Sequence, residues 1–349
     1  MNQFVIFRPF ILPSHIVPEE MAMYNTSEYT VQMLQVLPNP MPLSNLMYHL
    51  SWNLSTTAIE YLAQHKAYIN WRYLSENPNP LAEHLIRNHI KNGEFKDWLG
   101  LSSNSAEWAA ELMLEYKHKI YINWLACNMS KKAVDFISDH LDQLDEQNWS
   151  DISSNAAYID VLLQHQDKID WDELSKNPHK DAIRLLESNV DKINWLALSA
   201  NTSTDAMTLL GKYPDRINSW SISGNPTDAA MKLLKQYPDK INWHELSANP
   251  SPIAVQLLLD NVEHIYFSRL CLNTNIEVMA FIERHPEHIY WRNISTNPSI
   301  FTYDYEKMKQ CMFESGIAEG IIANRMHPRN ADKWDDWGLG FDSDLDDEL

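Results

Sequence analysis

The chain has 349 residues, 44% hydrophobic and 11% aromatic, with a formal net charge of −19. A sequence pI near 5.1 excludes the dense basic surface that wrapping nucleic acid requires, and it disfavours docking on anionic lipid. Cys127, Cys271 and Cys311 lie far apart without CxxC spacing, which argues against a disulfide framework or structural zinc and fits a reducing compartment.

Residues 1–45 open the chain without an evident repeat. Met1 to Val17 is apolar in places, but Arg8, Pro9 and Pro13 interrupt it and no small-residue cleavage site follows, so a signal peptide is not expected. Pro38, Pro40 and Pro42 then make a stiff connector. The expectation is a non-repeat arm that packs over the first repeat or docks on a neighbour. No apolar run approaches the roughly 18 residues of a membrane span.

From residue 46 to 300 one pattern recurs. Asn177, Asn201, Asn225, Asn249, Asn273 and Asn297 stand 24 residues apart, and Asn77, Asn104, Asn128 and Asn155 continue the series upstream at looser spacing. A period of this length signals a repeat array. Trp71, Trp98, Trp124, Trp149, Trp171, Trp195, Trp243 and Trp291 share one phase. Phe267 replaces the tryptophan once, Trp52 and Trp220 sit one residue late, and the Trp124 copy is shortened. The tryptophans, beside a regular leucine, are expected in the core.

Each unit reads as two helices. Asn or Asp precedes the Trp in most copies (Asn70, Asp97, Asn123, Asn148, Asp170, Asn194, Asn242), which predicts an N-cap. Glu173 and Glu245 are placed to close capping boxes, and pairs such as Ile69/Leu74 and Ile193/Leu198 have the spacing of a hydrophobic staple. The marker Asn is expected to end this helix and cap the next, with the Pro after it (Pro78, Pro178, Pro226, Pro250, Pro298) in the first turn. The second helix carries a small residue five after the marker and large apolar residues at eight and nine, as in Ala206/Leu209/Leu210. That spacing puts them on one face. Tyr213-Pro214, Tyr237-Pro238 and His285-Pro286 break the helix.

The expected fold is therefore all-α: a solenoid of about ten helix-pair repeats of ~24 residues, on the order of 80–100 Å long. Residues 301–340 should form a helical cap interrupted at Gly316 and Gly320, and 341–349 an acidic, solvated tail.

The unit I-[ND]-W-x-x-L-S-x-N-P, followed by A-x-x-L-L and P-D-K-I-N, is carried best by residues 169–178, 193–201 and 241–250. It resembles a repeat abundant in proteins of large double-stranded DNA viruses of algae and amoebae. Met326-His327-Pro328-Arg329, with the Trp and acidic residues after it, also looks like the close of such proteins. The resemblance implies a viral, non-enzymatic repeat protein in the virion or host cytoplasm. On that basis a minor capsid or capsid-associated role is expected, with protein partners such as the major capsid protein or other minor capsid proteins. The alternative is an adaptor that captures a host protein. Nucleic acid and a membrane span are not expected.

No residue is assigned a catalytic, cofactor-binding or metal-binding role. His65, His118, His165 and His285 are read at one repeat phase, but ligands must converge about 2 Å from one ion, whereas stacked repeats place equivalent positions about 10 Å apart. Tryptophans could form a stacking platform for single strands, but the chain is too acidic. The Asn-Pro series could present amides to a ligand, but capping accounts for it. Asp335/Asp336 and Asp346/Asp347 lie in the tail, Cys127 and Cys311 lack a local partner, and no glycine pattern cradles phosphate. No cofactor is expected.

Overall fold

The computed structural model describes residues 4–119, 122–325 and 330. It is an all-α helical repeat protein with one two-stranded sheet among those residues. Two compact units are present among the described residues, 7–300 and a smaller one that takes in 4–6 and 301–325. The His-Pro segment 326–329, Asp335/Asp336, Asp346/Asp347 and the acidic tail lie outside the described residues.

The repeat unit is built as the periodicity requires. Ala58, Ala82, Ala182, Ala206, Ala230 and Ala254, each five after a marker Asn, have no exposed surface. Leu209/Leu210 and Leu233/Leu234 are buried beside them, and so are Leu74, Leu174, Leu198 and Leu246 of the first helices. No helix pair can bury this stripe alone, so each needs its neighbours. Short 3-10 turns such as Pro214–Arg216 and Pro238–Lys240 link one repeat to the next.

Except at Asn155, which caps the 3-10 turn Ala156–Tyr158, the marker Asn does something other than cap the next helix. A first helix of six residues, such as Trp195–Ala200, ends with carbonyls that have no partner inside it. The next repeat supplies one. Asn225 Nδ2 donates to the carbonyls of Ser199 (3.3 Å) and Asn201 (2.9 Å), and Asn249 Nδ2 to those of Ser223 and Asn225 (2.9 Å each). The Asn Oδ1 accepts the N–H two residues on, as from Thr227. The N-cap of the second helix is that later residue: Ser55, Asn79, Ser130, His179, Ser203, Thr227 and Asn275 accept from its first turn. Pro78, Pro178, Pro226 and Pro250 consequently lie ahead of the cap, while Pro80 and Pro252 hold the first helical position.

A serine two before the marker makes a second tie. Ser199 Oγ donates to the Trp195 carbonyl at 2.7 Å and accepts Asn218 N–H at 3.0 Å. Ser175, Ser223 and Ser247 accept the equivalent N–H in the same way.

The expected elongated array and non-repeat arm are both corrected by this bonding. Asn25, inside the supposed arm, is a marker residue. It ends the helix Pro18–Tyr24, and its Nδ2 donates to the carbonyls of Ser295 (3.2 Å) and Asn297 (2.9 Å) at the far end of the unit. Asn53 in turn donates to Ala22 and Asn25. The ladder thus has twelve markers, from Asn25 to Asn297, and it returns to its start. We number the repeats 1 to 12 by these residues.

Repeat 12 is composite. Its first helix is Trp291–Ser295, but the 3-10 turn that follows a repeat comes from the N-terminus, Pro13–His15. His15 lies 4.8 Å from the Trp291 ring, as His264 lies 4.7 Å from Trp243. Val17 N–H reaches Ser295 Oγ at 2.9 Å, Arg292 pairs with Glu20 at 2.6 Å, and Arg8 N–H meets the Ile300 carbonyl at 2.8 Å. The 7–300 unit closes on itself because its two ends share one repeat.

Smaller departures have local causes. Asn148 is the third residue of a longer helix, Glu146–Ser154, whose capping box pairs it with Asp145. Asp97 makes no side-chain cap bond, whereas Asn70, Asp170, Asn194 and Asn242 do. Glu173 and Glu245 close no box: Glu173 pairs with Lys176, and Glu245 pairs with Arg269. Trp52 directly precedes marker Asn53, so it is not a displaced member of the Trp series.

β1 (Val5–Phe7) pairs with β2 (Phe301–Tyr303). Helices Tyr305–Glu314 and Ile317–Arg325 follow, separated at Gly316, whose φ of 73° is the left-handed region glycine tolerates. Gly320 lies within the second helix and does not break it.

Candidate protein interface

Most residues that looked functional are used by the scaffold. The marker asparagines are buried and bonded, so their amides cannot meet a ligand. At the C-terminal end of several second helices stands a polar residue whose side chain meets the last turn. His65 and His140 Nδ1 lie 3.0 and 2.7 Å from the carbonyls four residues back, where Asn189 and Asn261 Nδ2 donate at 2.8 Å. His165 and His285 belong to this row. His118 does not: Tyr116 holds the place, and His118 lies two residues later in the turn. No group of three or more His, Cys, Asp or Glu suited to a metal occurs among the described residues.

Most of the series tryptophans are not core residues. Trp149 is buried, but Trp71, Trp98, Trp171, Trp195, Trp243 and Trp291 are half-buried. One ring face is covered by a residue from the end of the same repeat: His89 stacks on Trp71 at 3.7 Å, Tyr213 packs on Trp195 at 5.1 Å, and Lys192 Nζ sits 4.3 Å above Trp171. The reason is length. A six-residue helix has room for one fully buried row, and the leucine and serine take it. The side chain of Trp124 lies outside the described residues.

Cys127 and Cys271 are poorly suited to nucleophilic work. Burial, and then the Asp151 carboxylate beside it, push the Cys127 thiol up. Burial pushes Cys271 up to about 11, and its Sγ accepts Tyr290 N–H at 3.4 Å in the place of the repeat serine. A thiol held protonated is a poor attacking group.

What remains is a row that sequence reasoning missed. Leu196, Trp220, Tyr266 and Tyr290 are 59%, 55%, 50% and 54% exposed, in repeats 8, 9, 11 and 12. In repeat 9 Ser219 takes the usual Trp position, and the indole is carried by Trp220 one step on, into solvent. The indole stacks on His244 of repeat 10 at 5.4 Å, and His244 meets the Tyr266 ring edge-on at 5.3 Å. Beneath them the buried Glu245 accepts from Arg269 Nη2 at 2.6 Å and lies 2.9 Å from His244 Nδ1.

Tyr266 and Tyr290 occupy the N-cap positions of helices Phe267–Leu270 and Trp291–Ser295, and neither makes a side-chain cap bond. Loss of a cap costs about 1 kcal/mol. The signal was present in the sequence: these are the two regular-phase copies in which Tyr replaces the Asn or Asp before the aromatic.

No helix among the described residues is long and apolar enough to cross a membrane. Comparison with protein-family models, with curated proteins and with solved structures returned no match.

Proposed function

We propose that the protein is a non-enzymatic scaffold that holds a protein partner against the aromatic row of repeats 9–12. Its setting would be that of a minor capsid or capsid-associated protein bridging other subunits of a large double-stranded DNA virus. One observation carries the binding role: repeat 9 forgoes the half-buried indole of the other copies, repeats 11 and 12 each forgo a helix cap, and what they gain is exposed aromatic surface. Positions that break a local rule without a compensating contact mark function. Tryptophan and tyrosine are also the residues that most often dominate protein interfaces. The net charge of −19 suits a partner surface that is basic around an apolar centre. The viral setting rests on the resemblance of residues 169–178, 193–201 and 241–250.

Mass spectrometry of purified particles, combined with a photo-crosslinking residue at position 220, tests both parts. The expected result is a constituent in fixed ratio to the shell, crosslinked to a capsid subunit. Absence from particles removes the structural role and leaves the adaptor. Crosslinks from position 220 to no protein at all defeat the binding role itself.

A further inference from the structure

The junction between repeats 12 and 1 joins opposite ends of the repeat unit, yet it is made of the same bonds as the covalent junctions. Val17 N–H meets Ser295 Oγ at 2.9 Å, as Asn242 N–H meets Ser223 Oγ at 2.8 Å. Asn25 grips repeat 12 as Asn249 grips repeat 9.

The covalent junction on the other side of repeat 1 is the less regular one. Residues 35–42 replace the usual 3-10 turn with an irregular, largely exposed link containing Pro38, Pro40 and Pro42. Met23 stands where a repeat serine would tie the following helix back, and it has no hydroxyl. The segment ending at Leu34 is therefore bonded to the far end of the chain as fully as to repeat 2, and a linker tethers it.

We propose that this segment is exchangeable: its seat between repeats 12 and 2 accepts the same segment from a second copy of the chain. The product is a reciprocal dimer in which each closed repeat unit is completed by the partner's residues 7–34. Exchange of an identical element is a low-cost route to a dimer, because both forms contain the same bonds. The balance between them is set by tethering. A short flexible linker gives an effective concentration in the millimolar range, and proline stiffening alters it. The monomer dominates in dilute solution, and the dimer grows as the chain is concentrated. The inference does not rest on the proposed function.

The test uses the full-length chain, with size exclusion and light scattering over a wide concentration range. Glu20→Arg or Arg292→Glu alone places like charges across the junction, in cis or exchanged. In an equimolar mixture, both junctions of a mixed dimer regain an opposite pair. The mixture is expected to hold about tenfold more dimer than either variant alone. A second arm places cysteines at 20 and 292 in a Cys127→Ser, Cys311→Ser background and joins them within one chain by a short bismaleimide. That bridge should remove the dimer while leaving circular dichroism unchanged. A mixture with no more dimer than its components, or a dimer that survives the bridge, overturns the proposal.

Discussion

Replacing Asn25 by alanine measures whether the repeat unit is closed. Its side chain, with no exposed surface, donates to the carbonyls of Ser295 and Asn297 and accepts from Ser27 N–H and Thr30 Oγ1. Asn225, in the middle of the array, donates to two carbonyls and accepts Thr227 N–H and Oγ1. Removing either leaves buried polar groups without these partners, at about 1–3 kcal/mol each, and partial relaxation brings the sum to roughly 3–5 kcal/mol. That is a large share of the 5–15 kcal/mol, approximately, that stabilises a typical protein. If the unit is closed, the two variants lose the same stability within about 1 kcal/mol. In an open array Asn25→Ala would forfeit only its local bonds. Urea denaturation followed by circular dichroism gives both values. A shift for Asn25→Ala less than half that for Asn225→Ala would refute closure.

Three further outcomes follow from single sites. Tyr158 is fully buried and its hydroxyl has no hydrogen-bond partner, so Tyr158→Phe should raise stability by about 1 kcal/mol in the same assay. At Gly100 an added Cβ would lie 2.2 Å from Ser75 Oγ and 3.2 Å from the Arg72 carbonyl, so Gly100→Ala should lower the thermal midpoint, at about 1–3 kcal/mol. Burial holds the His49 imidazole below its usual range against the pull of Glu19 and Glu20. The unfolded chain therefore protonates first, and stability should fall as pH drops below about 6.5. Denaturation midpoints at pH 7.5 and 5.5 should differ less in His49→Gln than in the parent chain.

Helix pairing was legible because it depends on spacing alone: marker Asn, small residue at five and leucines at eight and nine recur without reference to distant contacts. Closure was not, because the copy that effects it is disguised. Asn25-Thr26-Ser27 with Thr30, Met33 and Leu34 matches Asn201-Thr202-Ser203 with Ala206, Leu209 and Leu210, and Pro13-Ser14-His15-Ile16 matches Pro286-Glu287-His288-Ile289. Glu19 holds the tryptophan place, however, and the proline link lengthens the spacing to Asn53. The depth of the tryptophans was also illegible, since periodicity reports which face a residue occupies but not how much of the ring a neighbour covers.

The aromatic row can be separated from ordinary packing by restoring what the other repeats have. Tyr266→Asn and Tyr290→Asn return a capping side chain to helices that lack one. Asn194 and Asn242 show the geometry to be regained, their Oδ1 atoms accepting Ala197 and Glu245 N–H at 3.1 Å. Because both tyrosines are half exposed, little buried area is lost, and each change should stabilise the chain by about 0.5–1 kcal/mol. The same changes should weaken crosslinking of a partner from position 220. A residue kept for packing behaves in the opposite way, since its removal lowers stability and leaves binding to the intact neighbours. If Tyr266→Asn destabilises the chain, the ring is part of the scaffold and the row loses its claim to be a binding surface. Gain of stability with loss of binding is the pattern of a site maintained at the expense of the fold.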